Sequence, residues 1–392
     1  MYEIRRPQKS GIQIYRGLTM AYYTVPNEYK DCDDMLACLC EEGLARRIPD
    51  ADDDTRARVQ HELAIIKEKC IADYILTAWD IVKYAKEHGI YVGPGRGAST
   101  CSLVNYLIGI TDINPLKFGL PFARFVNSER RAPVYIDIDV SNCEDLQPYI
   151  RLNCFRLHID ILKLGWLQVV KNTLDSLKMK GIALDINDIP LDDAETMNLF
   201  ERGDAAGIFQ FHPPYMRNYL CQIENLDFND LVALNTLDQL MLDEKIPDYI
   251  ERKKAGGQVD CFHPDLESIL SETYGMLIYQ GQAMQIISKM TGFSLEKSYL
   301  IRKILAKRDP ERVAAAEPEF FEACIAHGFN RDLASRVWAF LLSSARRLFN
   351  KSHAIAYTFL AYQTAYLKAH YNEEYMAAYE ACEYTRMIGE YE

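Results

Sequence analysis

The sequence contains no apolar run near the roughly 20 residues needed to cross a bilayer, so no membrane-spanning helix is expected. Its first residues, MYEIRRPQKSG, lack an apolar h-region, which argues against a secretory leader. Low-complexity tracts and internal repeats are absent, so neither a disordered tail nor a repeat array is expected. The 11 cysteines, with Cys32, Cys38 and Cys40 followed by scattered singles, fit no zinc-ligand spacing. An odd count in a long chain also fits no disulfide framework, and reduced, buried thiols in a cytoplasmic protein are the expectation. Positive charge is scarce, with 44 Lys and Arg against 56 Asp and Glu and a formal net charge of −12. Nucleic-acid binders ordinarily carry a basic footprint, so any such role must rest on a local field. The glycine turn GPGRG (93–97) is not followed by Gly-Lys-Ser/Thr and has the wrong spacing for a dinucleotide fingerprint. Both common nucleotide loops are thereby excluded.

What remains is a 392-residue chain, 49% hydrophobic and 26% charged, enough for two or three packed subdomains. Residues 11–26 alternate weakly and read as extended. Helical periodicity marks 31–46 and 55–70, and a third apolar-faced helix over 72–88 is expected to stop at Gly89. The glycine turn then opens a small-residue helix, ASTCSLVNYLIG. VYIDIDV (134–140) and LHIDI (157–161) read as strands, and from about 168 the chain reads as helices punctuated by Pro190, Pro213, Pro214, Pro247, Pro264, Pro310 and Pro318. The fold class expected is α+β, mostly helical. The acidic stretch from Asp31 to Asp54 reads as solvated surface. Basic residues gather at Arg130–Arg131, Arg252–Lys254, Arg302–Arg308 and Arg346, Arg347 and Lys351, where solvated faces compete with phosphate sites.

On a strand, residues two apart share a face, so Asp137 and Asp139 project together while Ile136, Ile138 and Val140 turn to a core. Two adjacent carboxylates repel unless a cation sits between them. Mg²⁺ takes oxygen ligands, commonly one or two carboxylates plus phosphate oxygens. Asp160 supplies a third acid on a second strand. The same alternation also fits the exposed face of an edge strand. Backbone N–H groups of the glycine turn and the dipole of the helix behind it can cradle phosphate, with Arg96 adding charge. Arg302, Lys303, Lys307 and Arg308 ride one helix, and Lys351, Ser352 and His353 open another. The tyrosines at 357, 362, 366 and 371 read as core or as a stacking stripe.

The stretch ADYILTAWDIVKYAKEHGIYVGPGRGASTCSLVNYLIGITDINPLKFGLPFARFVNSER closely resembles the palm of the C-family replicative polymerases, the bacterial DNA polymerase III alpha subunits. GDAAGIFQF, IPDYIERK, ETYGMLIYQGQAMQI and FNKSHAIAYTFLAYQTAYLKAHY resemble blocks of that family's fingers, in the family's order, and the likeness covers about 31–385. The resemblance implies a palm of the polymerase-beta nucleotidyltransferase type over 31–165 and helical fingers over 166–392, after an extended N-terminal segment, 1–30. It implies template-directed addition of deoxynucleoside triphosphates to a DNA primer, with two Mg²⁺ ions as cofactors and other replication proteins as further partners. Carried over by position, Gly95, Arg96, Gly97, Ser99 and Arg124 would face the triphosphate from the palm, with Arg302 and Lys303 approaching from the fingers. Asp137, Asp139 and Asp160 would be the catalytic, metal-binding acids.

Departures from the family pattern are specific. Aligned without a gap, Tyr135 stands at the first of the family's metal ligands; a two-residue slip would restore the pair as Asp137 and Asp139. His158 replaces a lysine, Ala98 a serine, and Gly281 an acidic residue, while NTLDQLMLDEKIPDY replaces an arginine-proline-glycine-proline turn. Only 20 residues separate Asp139 from Asp160, where the family inserts a thumb. Two further readings follow: a catalytically impaired polymerase-like remnant that binds nucleic acid or protein, and another two-metal nucleotidyltransferase on the same palm.

Overall fold

The structure is a computed structural model and describes residues 11–13, 23–129, 133–153, 159–256 and 261–389. Most of the N-terminal segment, the pair Arg130–Arg131 and His158 lie outside the described residues. In chain order the elements are β1 (Gly11–Gln13), α1 (Cys32–Arg47), α2 (Asp53–Glu68), α3 (Ala72–Glu87), α4 (Leu103–Leu107), β2 (Ile136–Val140), α5 (Gln147–Asn153), β3 (Ile159–Lys163) and α6 (Gly165–Met179). Then follow α7 (Ala194–Glu201), α8 (Pro214–Leu220), α9 (Phe228–Gln239), α10 (Ile246–Lys254), α11 (Pro264–Leu270), α12 (Gln280–Thr291), α13 (Leu295–Lys307), α14 (Pro310–Ala326), α15 (Arg331–Ser344), α16 (Lys351–His370) and α17 (Asn372–Gly389). Helix dominates and the sheet is small, as the periodicity implies. No described helix is long and apolar enough to cross a membrane.

The described chain divides into two compact units. The first takes the described residues of Met1–Gly119, Ala132–Ile189 and Phe359–Glu392, and the second Leu120–Arg131 and Pro190–Thr358. The division differs from the one expected along the sequence: the segment carrying Arg124 falls with the helical unit, and the last residues fall with the sheet.

In the first unit, the acidic stretch Asp31–Asp54 is more than solvated surface. Asp31 caps α1 by accepting from the Asp34 N–H at 2.9 Å, and Asp52 caps α2 by accepting from Thr55 N–H at 2.8 Å. First-turn acids and last-turn Arg46, Arg47 and Lys67 complement both helix dipoles. The α3 helix buries Tyr74, Ile75, Ala78, Ile81, Val82 and Ala85 on one face. Gly89 ends it in the left-handed region (φ 72°), and Ile90 N–H reaches back to Ala85 C=O at 2.9 Å. That closure turns the chain toward the sheet.

The sheet order is β1-β3-β2, with β3 antiparallel to β1 and parallel to β2. The parallel pair needs a crossover, which α5 supplies. Ile136, Ile138, Val140, Ile159 and Ile161 are buried and hold the sheet to the unit's core. The chain before the glycine turn extends the sheet: Val92 bridges Val140, and Gly93 N–H donates to Asp139 C=O at 2.8 Å.

One expected helix is broken. Residues 99–101 form a 3₁₀ turn, Ser102 is extended (φ −94°, ψ 123°), and α4 starts anew behind it. A buried carboxylate, Glu62 on α2, accounts for the break, as described below.

In the second unit, helices α11–α15 enclose a core that includes Leu266, Leu270, Ile286, Ile287, Phe320 and Trp338. Pro214, Pro247, Pro264 and Pro310 occupy the first or second position of α8, α10, α11 and α14, where a missing N–H costs nothing. Pro318 is different, since it lies inside α14 rather than ending a helix.

Candidate functional site

The parallel ladder pairs Asp137 with Asp160 in register, so their side chains leave the same face of adjacent strands. Asp139 pairs with Leu162, one pleat further on. The two strand aspartates differ in surroundings: the Asp137 side chain is 23% exposed and that of Asp139 only 4%. Burial pushes the Asp137 carboxyl above its ordinary range, the Arg96 charge opposes this, and the Asp160 charge adds to it. Tyr135, just before β2, is 44% exposed.

The glycine turn delivers Arg96 to these acids. Its guanidinium Nη1 donates to Asp139 Oδ1 at 3.3 Å, and Nη2 lies 3.8 Å from Asp137 Oδ1. The cation that the repulsion of two strand carboxylates demands is therefore, in this structure, a side chain of the protein. Gly97 makes the approach possible. It sits at φ 71°, and a Cβ there would lie 2.7 Å from Asp137 Oδ2. Gly95 (φ 137°) likewise has no room, since its Cβ would meet Thr100 Cγ2 at 2.5 Å. Ser99 Oγ donates to Arg96 C=O at 2.8 Å and Thr100 Oγ1 to Gly97 C=O at 2.9 Å. Both hydroxyls close the turn, so Ser99, expected against phosphate, is buried and engaged with backbone.

The helix behind the turn has its own internal anion. Glu62, fully buried, accepts from Ser102 Oγ at 2.8 Å, Leu103 N–H at 3.0 Å and Val104 N–H at 3.1 Å, and from Arg58 Nε at 2.7 Å. Arg58 also donates to Cys101 C=O at 3.1 Å. The first N–H groups of α4, those of Leu103 and Val104, are thus taken up by Glu62. Burial raises the Glu62 pKa, and Arg58 with the three donors pulls it back. Sequence reading missed Glu62, although the signal was present: it falls with Val59 and Ile66 on the buried face of an otherwise amphipathic helix. Tyr74 was missed too. Its hydroxyl accepts from Ile136 N–H at 2.8 Å and pins the start of β2; burial raises its pKa, and the Asp137 and Asp160 charges add to that.

The second unit holds a separate cluster of candidates. A 3₁₀ turn, Phe122–Arg124, packs on α13, where Ala123 clusters with Tyr299 and with Met284 of α12. Arg302 on α13 is only 8% exposed, and its Nε has no hydrogen-bond partner among the described residues. Burial, and after it the Arg124 charge, push the Arg302 guanidinium down to about 10. Arg302 lies 5.3 Å from the Tyr299 ring centre and Lys303 Nζ 6.0 Å from it. The Arg124 charge beside the buried Arg302 guanidinium makes a local excess of positive charge. Other basic candidates are consumed by the fold. Arg308 donates to Leu342 and Ser343 C=O at 3.2 and 3.3 Å, and Lys351 pairs with Glu272 at 2.6 Å. Tyr362 is buried in α16, while Tyr357 packs at a tilt against Phe209 at 5.4 Å and His353 at 4.2 Å between ring centres.

Among the described residues, no three or more His, Cys, Asp or Glu side chains converge as a metal cage. The donor set is a pair of carboxylates, Asp137 and Asp160, with hard oxygen atoms suited to a divalent cation that fills its shell from water and phosphate. Asp139 is turned toward Arg96.

Residues 34–148 match the model of the bacterial DNA polymerase III alpha NTPase domain, and residues 166–328 that of the bacterial DNA polymerase III alpha subunit finger domain. A protein of Halalkalibacterium halodurans named DNA polymerase III subunit alpha is 28% identical over 486 residues, taking in 91% of this chain and 44% of that protein. Its namesake in Bacillus subtilis is 29% identical over 86% of this chain and 42% of its own length. The one in Treponema pallidum is 27% identical over 96% and 43%. The chain thus spans less than half the length of these relatives. An alignment of 486 residues exceeds the 392 of the chain, so the relatives hold residues within the matched span that this chain lacks.

Proposed function

The chain belongs to the bacterial DNA polymerase III alpha subunit family, and from that premise we propose that it is the nucleotidyl-transfer core of a DNA-directed DNA polymerase. In this reading the first unit serves as palm and the second as fingers, without a thumb. The substrates are a DNA primer-template and deoxynucleoside triphosphates, in the bacterial cytoplasm and beside other replication proteins. The observation that carries the proposal is the register pairing of Asp137 with Asp160, with the Arg96 turn packed against it.

Mg²⁺, with two ions expected, would be held by Asp137 and Asp160, with Asp139 as the outlying acid of the motif. When bound, it supplies the acidification of the primer 3′-hydroxyl and the neutralisation of the pyrophosphate leaving group. The protein's own residues do the rest. Asp137 and Asp160 orient their oxygens from two adjacent strands, whose shared ladder fixes their separation. Tyr74 pins β2 and keeps that register. Gly97 lets the turn approach, so that Arg96 stands at the carboxylates. Arg124 and Arg302 offer guanidinium forks to phosphate oxygens, Lys303, on the helix of Arg302, adds an ammonium, and an arriving anion relieves their mutual repulsion. In the transfer, the primer 3′-oxygen bonds to the α-phosphorus, the bond to the bridging oxygen breaks, pyrophosphate departs, and the hydroxyl proton goes to water.

A second reading, an impaired polymerase-like remnant acting as a binding module, has its own support in exposed Tyr135 where the family places a ligand and in the diversion of Asp139 to Arg96. Primer extension with Mg²⁺ or Mn²⁺ separates the two. Template-dependent extension that disappears in Asp160→Ala supports the polymerase. DNA binding without extension supports the remnant, and incorporation without a template points to another nucleotidyltransferase.

A further inference from the structure

Arg96 combines a hydrogen-bonded backbone with a partly exposed head. Pro94 C=O accepts from Asp112 N–H at 2.8 Å, and Ser99 and Thr100 hold the carbonyls of Arg96 and Gly97. The turn itself is therefore rigid, while the Arg96 side chain remains 16% exposed. Its grip on the two acids is unequal. Asp139, nearly buried, receives a hydrogen bond at 3.3 Å, whereas Asp137 lies at 3.8 Å and receives charge alone. Asp137 is also the acid that faces Asp160 across the ladder. The carboxylate with the better access to a metal is thus the one that Arg96 holds more loosely.

We propose that Arg96 is an exchangeable counter-ion: it neutralises Asp137 when no divalent cation is present and competes with that cation for the Asp137–Asp160 pair. The inference rests on the reading of that pair as a cation site and adds to it a direction of control. A divalent ion entering between Asp137 and Asp160 meets a positive charge already in place, so its affinity for the protein alone is held low. Any phosphate that draws the guanidinium away removes this opposition. Metal and nucleotide therefore enter together, and Asp139 serves as the anchor from which Arg96 swings rather than as a ligand. The turn geometry favours this arrangement, because a Cβ at Gly97 would lie 2.7 Å from Asp137 Oδ2, so only glycine lets the turn lie this close to that acid.

The test is a titration of the full chain with Mn²⁺ alone, without nucleotide or DNA, at fixed ionic strength, with free Mn²⁺ read by electron paramagnetic resonance. Wild type, Arg96→Gln, Arg96→Lys and Asp137→Asn are compared, with circular dichroism to confirm that each is folded. Removing a unit charge a few ångströms from the divalent ion should tighten Mn²⁺ binding by roughly tenfold or more in Arg96→Gln, the bulk-water dielectric setting the lower bound. Arg96→Lys, which keeps the charge on a shorter reach, should fall between Arg96→Gln and wild type. Asp137→Asn should weaken binding. If Asp137→Asn weakens binding but neither Arg96 variant is tighter than wild type, the counter-ion role is wrong and the cation site stands. If Asp137→Asn leaves Mn²⁺ binding unchanged, the cation site falls, and the counter-ion role falls with it.

Discussion

Replacing Glu62 puts the largest weight on the smallest piece of the first unit. Two donors point at each of its oxygens: Arg58 Nε and Leu103 N–H at Oε1, Ser102 Oγ and Val104 N–H at Oε2. Glu62→Leu fills the volume and removes every acceptor. A buried donor left alone costs about 1–3 kcal/mol. Such losses are not additive, and breaking one side of a buried ion pair costs about 3–5 kcal/mol, which bounds the total. Glu62→Gln keeps one oxygen with its two donors. Its amide nitrogen faces the other two; the Ser102 hydroxyl can rotate to accept, and Val104 N–H is left alone, a loss of about 1–3 kcal/mol. Urea denaturation followed by circular dichroism should therefore rank wild type above Gln above Leu. The pH dependence has a defined sign. Because burial raises the Glu62 pKa in the folded state, its contribution is full below the unfolded value and declines as pH rises through the folded one. The gap between wild type and Glu62→Leu should then be wider at about pH 5 than at about pH 8, a window that begins above the ordinary glutamate value of about 4.3. A Leu variant as stable as wild type would refute the network as the support of the glycine turn.

Gly97→Ala forces a side chain into φ 71° and sets its Cβ 2.7 Å from Asp137 Oδ2. Beyond a conformational cost of about 1 kcal/mol, it should displace that carboxylate and weaken Mn²⁺ binding, and unchanged binding would contradict the close approach. Arg302→Met removes a buried charge that Arg124 repels, so the melting temperature should rise. Deoxynucleoside triphosphate binding should meanwhile weaken by about 1–3 kcal/mol, and a titration that shows no change would remove Arg302 from the pocket. Alkylation followed by mass spectrometry should label exposed Cys38, Cys70 and Cys221 first. Cys143, pushed up to about 11 by burial, and Cys324, pushed up to about 12, should be spared until unfolding.

The legible parts of this molecule are those set by neighbours in the chain. The first two helices announce themselves through Leu36, Leu44, Val59 and Ile66, and the stop of the third at Gly89 through the freedom only glycine has there. Alternation marks β2, although the strand begins at Ile136 rather than at residue 134. Long-range events escape that reading. A continuous helix after the glycine turn is a fair local inference, but Glu62, some 40 residues earlier, rewrites it at Ser102. Arg96 looks like a phosphate ligand by position, and only the Val92–Val140 bridge reveals that it faces Asp137 and Asp139. Arg124 lies between palm-like segments in the sequence yet packs beside the helix that carries Arg302. Pairing partners across a sheet and membership of a compact unit depend on tertiary closure, which periodicity does not encode.

The central claim, that Asp137 and Asp160 support template-directed nucleotidyl transfer, meets its most direct test in single-turnover primer extension at saturating DNA. Wild type, Tyr135→Asp, Asp137→Ala and Asp160→Ala are compared with Mg²⁺ and with Mn²⁺. Saturating DNA removes the weak grip expected where few phosphates are contacted. What remains is the missing anionic ligand, which a phenol of pKa about 10 does not replace at neutral pH. Slow extension by wild type, faster extension by Tyr135→Asp and none by either alanine variant is the expected result. Extension that survives in Asp160→Ala, or a robust wild type that Tyr135→Asp slows, would contradict it, the latter by making Asp137 and Asp139 the ligand pair.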